Sequence, residues 1–247
     1  MKKATATLFL IPSSLGEEQL STVWPEGNTL VLNKLRIFIV ENLRTARRFL
    51  KQAGYSHPID DTTFFLLNKH TSAEEYSRFL QPALTGNSIG LLSEAGCPCI
   101  ADPGQVIVQR AHELGLQVKP LTGPSSIMLA LMASGMNGQH FQFHGYLPIH
   151  KEARDKKIKE LESESQRTGT TQIFMEAPYR NNSLAESILR LCKAGTRLCV
   201  AADLTMPEEY IQTKTIGNWR KEKMTNLHKR PAIFLIHAGK NQDQYRK

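Results

Sequence analysis

Apolar residues in this chain gather in short runs, and between the runs they recur at intervals of three and four. The runs at residues 7–11, 36–40, 63–67, 88–92 and 116–120 have the length and the β-branched and aromatic content of buried strands. Helical patterns separate several of them, and such alternation predicts βαβ units around a largely parallel sheet. Beyond residue 124 the pattern changes. A helical run at 125–134 leads to a strand at 141–144, a charged helix at 151–162, and strands at 172–175, 198–202, 211–216 and 232–237. Neighbouring strands late in the chain predict antiparallel pairing as well. The expected fold class is α/β, with two α/β domains at 1–119 and 120–247. The N-terminal sheet is expected to be mostly parallel and the C-terminal sheet mixed.

The turns that follow these strands carry the unusual residues. In an open α/β sheet the crevice beyond the carboxyl ends of the strands is where small ligands bind. In the longest such turn, Leu91-Leu92-Ser93-Glu94-Ala95-Gly96-Cys97-Pro98-Cys99-Ile100-Ala101-Asp102-Pro103-Gly104, glycines and prolines fix an irregular backbone while Glu94 and Asp102 supply carboxylates. Asp102 is placed to cap a helix beginning near Gly104. The turn Ile11-Pro12-Ser13-Ser14-Leu15-Gly16 lets backbone approach a ligand closely, yet it is not Gly-x-Gly-x-x-Gly and no phosphate-cradling lysine follows. Gly123-Pro124-Ser125-Ser126 joins a hinge to a helix start whose free amides suit a carboxylate or their own cap.

Composition narrows the classes. With 247 residues, 40% hydrophobic and 22% charged, the chain can bury one large core or two modest ones, so disorder is excluded as the default. A net charge of +8 points to an anionic partner: RNA, a phosphorylated ligand or a membrane surface. Cys97, Cys99, Cys192 and Cys199 lack metal-ligand spacing, so no metal is expected and free thiols fit a reducing cytoplasm. Lys2 and Lys3 before an apolar run faintly imitate a secretory signal, but the run is short and reads as the first strand. No stretch approaches the ~20 apolar residues of a membrane helix, and a soluble protein is expected.

Taken in order, the segments 8–16, 41–44, 91–104, 120–126, Gly145-Tyr146-Leu147-Pro148, 174–180, 201–205 and 232–239 resemble the tetrapyrrole-methylase-like methyltransferases that use S-adenosylmethionine. The chain is most similar to the branch that methylates a cytidine ribose 2′-hydroxyl in small-subunit ribosomal RNA. That resemblance implies a cofactor cleft between the two domains, a homodimer, and a donor-lining set of Leu15, Glu94, Cys97, Ser126, Ile127, Phe174, Met175, Ala202 and Ala232. It also implies polar stations at Glu41, His70, Glu176 and Asp203, the candidates for a general base. Departures fall on the substrate-facing polarity. Glu41-Asn42-Leu43-Arg44 stands where the branch reads Glu-Asp-Thr-Arg, Ala201-Ala202-Asp203-Leu204 where it reads Ala-Arg-Glu-Leu, and Arg230-Pro231 replaces a Gly-Glu pair. Glu94 replaces the usual Asp.

Basic residues support an RNA or ribosomal-subunit partner separately. Arg44, Arg47, Arg48 and Lys51 follow helical spacing and share a face, with Leu43, Ala46 and Leu50 on another. Further clusters lie at Lys151, Arg154, Lys156, Lys157 and Lys159, and at Arg220, Lys221, Lys223, Lys229 and Arg230. Two alternatives stay open: a small-molecule tetrapyrrole-type methylase, and a catalytically silent module that binds S-adenosylmethionine or RNA.

Overall fold

The computed structural model describes residues 6–16, 20–68, 70–222 and 224–239, so Lys2, Lys3 and Lys223 lie outside the described residues. The chain forms two compact units, Met1–Ser125 and Ser126–Lys247.

The N-terminal unit contains β1 (Thr7–Ile11), α1 (Glu26–Leu32), β2 (Ile37–Val40), α2 (Leu43–Gln52), β3 (Thr63–Leu66), α3 (Ala73–Leu84), β4 (Ile89–Leu92), α4 (Gln105–Glu113) and β5 (Gln117–Pro120). The strands stand in the order β3-β2-β4-β1-β5, every pairing parallel. The period-two alternation of each strand feeds two cores. Leu8, Ile39, Ile89 and Leu91 meet Phe79 and Leu80 of α3 and Ile107 of α4 on one face. Ile11, Phe38, Val40 and Leu92 meet Leu32 of α1 and Ala46, Phe49 and Leu50 of α2 on the other. The central strands β1, β2 and β4, covered on both sides, read as nearly continuous apolar runs, whereas the edge strands β3 and β5 keep exposed residues, unlike the buried strands expected there. Helix starts follow local rules: Asn42 caps α2 by accepting from the Arg44 and Thr45 amides at 2.9 and 3.4 Å, and Ser72 and Glu75 form a capping box on α3.

The C-terminal unit contains α5 (Ser126–Ser134), β6 (Phe141–Tyr146), α6 (Lys151–Thr168), β7 (Thr171–Met175), α7 (Asn181–Leu191), β8 (Arg197–Ala202), β9 (Tyr210–Thr215), α8 (Ile216–Trp219) and β10 (Ala232–His237). Its sheet runs β6-β7-β10-β8-β9 and is mixed: β6 pairs parallel with β7, and the other three pairings are antiparallel. Phe174, Leu198, Val200, Phe234 and Ile236 pack against α6, α7 and α8. Thr213 Oγ1 ties the other face to α5, donating to the Ser134 carbonyl at 2.9 Å. Two elements outrun their expected ends. The α6 helix continues to Thr168 because Ser165 is turned inward and fully buried, and β6 continues past a bulge to Tyr146.

Three surface expectations are corrected. Leu43 is 39% exposed, since it stands at the turn into α2, and Phe49 takes the inward place instead. Arg154 is buried rather than displayed, its guanidinium donating to Ser183 and Ser187 of α7. Arg220 is occupied with the Leu189 and Cys192 carbonyls at the end of α7, a structural task.

Candidate functional site

At the carboxyl ends of β1, β2 and β4 the N-terminal unit holds a cleft of about 150 Å³. Its walls are Ser13 to Gly16, Glu41, Thr45 and Arg48, and Ser93 to Ala95. Leu15, Glu41 and Glu94 are therefore brought together, although they come from three different strand ends. The two turns are stitched by an isolated bridge: the Ser13 amide donates to the Gly96 carbonyl at 2.9 Å, and Ser93 Oγ donates to the same carbonyl at 2.5 Å. Behind them Gly123 passes so close to Pro12 that a Cβ there would lie 2.2 Å from Pro12 Cγ.

Among the described residues of this unit the strained non-glycine backbone lies in the loop after β4. Cys99 and Ala101 adopt φ of 68° and 61°, which costs energy in any residue but glycine. Asp102 pins the loop: one carboxylate oxygen accepts from the Cys99 and Gly104 amides, both at 2.8 Å. The sequence placed Asp102 at the cap of α4, but the N-cap position is Gly104 and carries no side-chain cap bond, so Asp102 holds the loop rather than the helix. Cys97 donates its thiol to the Pro124 carbonyl at 3.4 Å, and burial pushes that thiol above its ordinary range. Burial and the Asp102 charge push Cys99 up to about 11. Neither is a ready nucleophile.

Glu41 is the electrostatically unusual residue. Burial and then the Asp102 carboxylate raise its pKa above 4.5, the Glu94 amide opposes them by bonding to it, and the Glu94 charge raises it further. Glu94, longer than the aspartate expected there, accepts from Thr45 Oγ1 at 3.3 Å. His70 stands apart, exposed in the turn after β3, with its amide held by Asn68. Arg44, Arg47 and Lys51 are exposed along α2, with Arg47 5.8 Å from the Phe64 ring, whereas Arg48 lines the cleft. Thr45 and Ser93 escaped sequence reasoning because hydroxyl residues at strand and helix ends look like ordinary caps.

In the C-terminal unit five expected residues share one end of the sheet, at its interior strands. Ala202 pairs directly with Ala232, and Met175 pairs with Ile233, so Met175, Glu176, Ala202, Asp203 and Ala232 are neighbours there. Phe174 points inward and stacks on Phe234, so only its backbone is available to a ligand. Ser126 and Ile127 are half-buried at the start of α5. The two acids are already engaged: Glu176 accepts from Arg180 at 2.5 Å and from the Ala177 amide at 2.7 Å, and Asp203 accepts from Arg230 at 2.5 Å. Asp203 and Thr205 repeat the strain of the first unit, with φ of 48° and 71°. Among the described residues no three His, Cys, Asp or Glu side chains gather as metal ligands, and no helix is long and apolar enough to cross a membrane.

Residues 11–219 match the model of the tetrapyrrole (corrin/porphyrin) methylases. The chain is 30% identical over 242 residues to ribosomal RNA small subunit methyltransferase I of Vibrio cholerae, covering 95% of this chain and 80% of that protein. The namesake enzyme of Escherichia coli O157:H7 is 27% identical, with 96% and 79% covered. Among solved structures, diphthine synthase superposes with a TM-score of 0.65 at 14% identity, covering 94% of this chain and 90% of that one. The methyltransferase CobJ gives 0.60 at 14%, covering 94% and 93%. Both structures share the fold.

Proposed function

We propose, for a chain that belongs to the tetrapyrrole (corrin/porphyrin) methylase family and to its ribosomal RNA small subunit methyltransferase I branch, methyl transfer from S-adenosyl-L-methionine to RNA. The acceptor in this reading is a ribose 2′-hydroxyl of small-subunit ribosomal RNA. The observation that carries it is the relationship to the ribosomal RNA enzymes over 95% of the chain and 80% of the relative. A cytoplasmic homodimer belongs to the same proposal.

The residues present suit the donor. Its sulfonium is a cation, and the N-terminal cleft offers the Glu94 carboxylate, an apolar wall from Leu15, and backbone close at hand. When bound, the donor supplies a methyl group that is already activated, so the protein needs no ionised nucleophile of its own. Leu15, Glu94 and Cys97 in the first unit, and Ser126, Ile127, Phe174, Met175, Ala202 and Ala232 in the second, are the proposed donor-binding set. What the chain must add is orientation, exclusion of water and a place for the proton that the hydroxyl loses. Of the four polar stations, Glu41 is best suited to receive that proton. Its proton affinity is raised and it lines the cleft, while Glu176 and Asp203 are held by arginines. The exposed arginines and lysine of α2 are the proposed contact to RNA phosphates.

Calorimetric titration with S-adenosyl-L-methionine tests the first half of this reading. Saturable binding is expected, weakened by Ser126→Trp; absence of binding by the unaltered chain contradicts the proposal, and unchanged affinity in the variant removes Ser126 from the set.

A further inference from the structure

The β6 strand ends irregularly. Its register with β7 shifts between Phe143 and Tyr146, and Gly145 inside that shift has φ of 64°, a conformation that glycine alone adopts cheaply. A bulge re-aims the side chain beyond it. Tyr146 accordingly stands 58% exposed although it pairs with Met175 of β7. Just past the end of β7, the short turn Pro178–Arg180 presents Tyr179 at 62% exposure.

Arg180 completes the group. Its guanidinium carbon lies 4.9 Å from the Tyr179 ring centroid, and Nη1 donates to the Tyr179 hydroxyl at 2.8 Å. Tyr146 pairs with Met175, the residue before Glu176, and so stands at the same strand end. Glu176, buried at the strand end, holds the guanidinium from behind through Nη2. Buried polar atoms in folded proteins normally have partners. Yet of the five buried side-chain polar atoms without one among the described residues, three lie here: Glu176 Oε2, Arg180 Nε and Asn181 Oδ1.

We infer that Tyr146, Tyr179 and Arg180 form a stacking platform for an unpaired base of single-stranded RNA, with Glu176 as the positioning residue for the guanidinium. The inference rests on the RNA reading above and names how that acceptor is held. Two exposed tyrosine faces beside a planar guanidinium match the π-face of any base. The orphaned acceptors Glu176 Oε2 and Asn181 Oδ1 match amino or hydroxyl donors on the edge of a nucleotide. Because Glu176 neutralises Arg180, the site favours a flat neutral ring over a substrate rimmed with carboxylates. The sequence hid this arrangement, since Tyr146 and Tyr179 lie far apart along the chain and outside its basic clusters.

The test uses the full chain and two single-stranded RNA oligonucleotides of one sequence, one carrying 2-aminopurine and the other an abasic site at the same position. Tyr146→Ala and Tyr179→Ala should each weaken binding of the base-containing RNA by roughly five-fold or more, as loss of a stacked base does, and should relieve quenching of the 2-aminopurine. Tyr179→Phe should restore both, and affinity for S-adenosyl-L-methionine should not move in any variant. Wild-type affinity in both alanine variants overturns the platform, as does an equal loss for the abasic RNA; the RNA reading survives either result. If the unaltered chain binds neither oligonucleotide, both readings fall. Weaker self-association of Tyr179→Ala in sedimentation, with RNA binding intact, assigns the surface to a second copy and overturns the platform.

Discussion

Glu41 concentrates the chemistry of the N-terminal cleft in a single carboxyl group. Its raised pKa means that the folded chain holds this proton more tightly than the unfolded chain does. Stability is therefore lost as pH rises from 4.5 through the raised value, where the folded state carries more bound protons. Glu41→Gln removes that loss, and its denaturation midpoint should vary less with pH across the window while equalling or exceeding the parent at neutral pH. If Glu41 also takes the hydroxyl proton, the same substitution lowers kcat roughly 100-fold, within the usual range for a general base, and leaves donor affinity unchanged. A variant with full kcat takes Glu41 out of the proton's path. The family resemblance named Glu41 as a candidate, but no sequence pattern showed its electrostatic surroundings. Glu41 follows β2 whereas Glu94 and Asp102 follow β4, and only the pairing of those two strands brings the three charges within reach of one another.

At the scale of elements, α2 joins the cleft to the surface. Asn42 caps it, and Ala46, Phe49 and Leu50 seat it on the sheet. Arg48 turns to the cleft, while Arg44, Arg47 and Lys51 face solvent. Reversing charge at Arg44, Arg47 and Lys51 together should weaken RNA binding, flatten its dependence on salt, and spare donor affinity, because phosphate contacts release counterions. Filter binding across a salt series checks this, and an unchanged slope would remove α2 from the interface. The helix also marks the limit of periodicity as a guide. Spacing alone, at 3.6 residues per turn, found the exposed side of the helix, though Arg48, expected on the same face, lines the cleft. It could not tell that Leu43 lies uncovered at the first turn, nor that Arg154 of α6 is drawn inward by two serines of α7 about thirty positions later. Strands fared better: β1 at 7–11 and β10 at 232–237 are as expected, and the others differ only at their ends or, in β6, at a bulge. A buried strand is apolar whatever its neighbours, whereas a buried arginine depends on partners remote in sequence.

The whole molecule consists of two units with different sheets and, in each, strained non-glycine backbone at the strand ends that carry the candidate residues. Such strain is kept where structure around it overdetermines the loop, and it gathers at functional sites. Overall stability should also report on two histidines of the second sheet. Burial lowers the pKa of His144 and of His237, against Gln172 for the first and helped by Arg197 for the second. Both values lie below 6.5, so the unfolded chain binds more protons as pH falls through 6.5, and stability should decline there. Replacing both by Gln should flatten that decline in urea titrations; an equally steep decline would place its origin elsewhere. The central claim, methyl transfer to RNA, meets its most direct test in transfer of tritiated methyl from S-adenosyl-L-methionine. Small ribosomal subunits, their protein-free RNA and a tetrapyrrole precursor would be offered side by side. The account predicts label in the RNA, retained after alkaline hydrolysis in a resistant dinucleotide as a 2′-O-methyl requires. Label confined to the tetrapyrrole, or incorporated into none of the three, would contradict it.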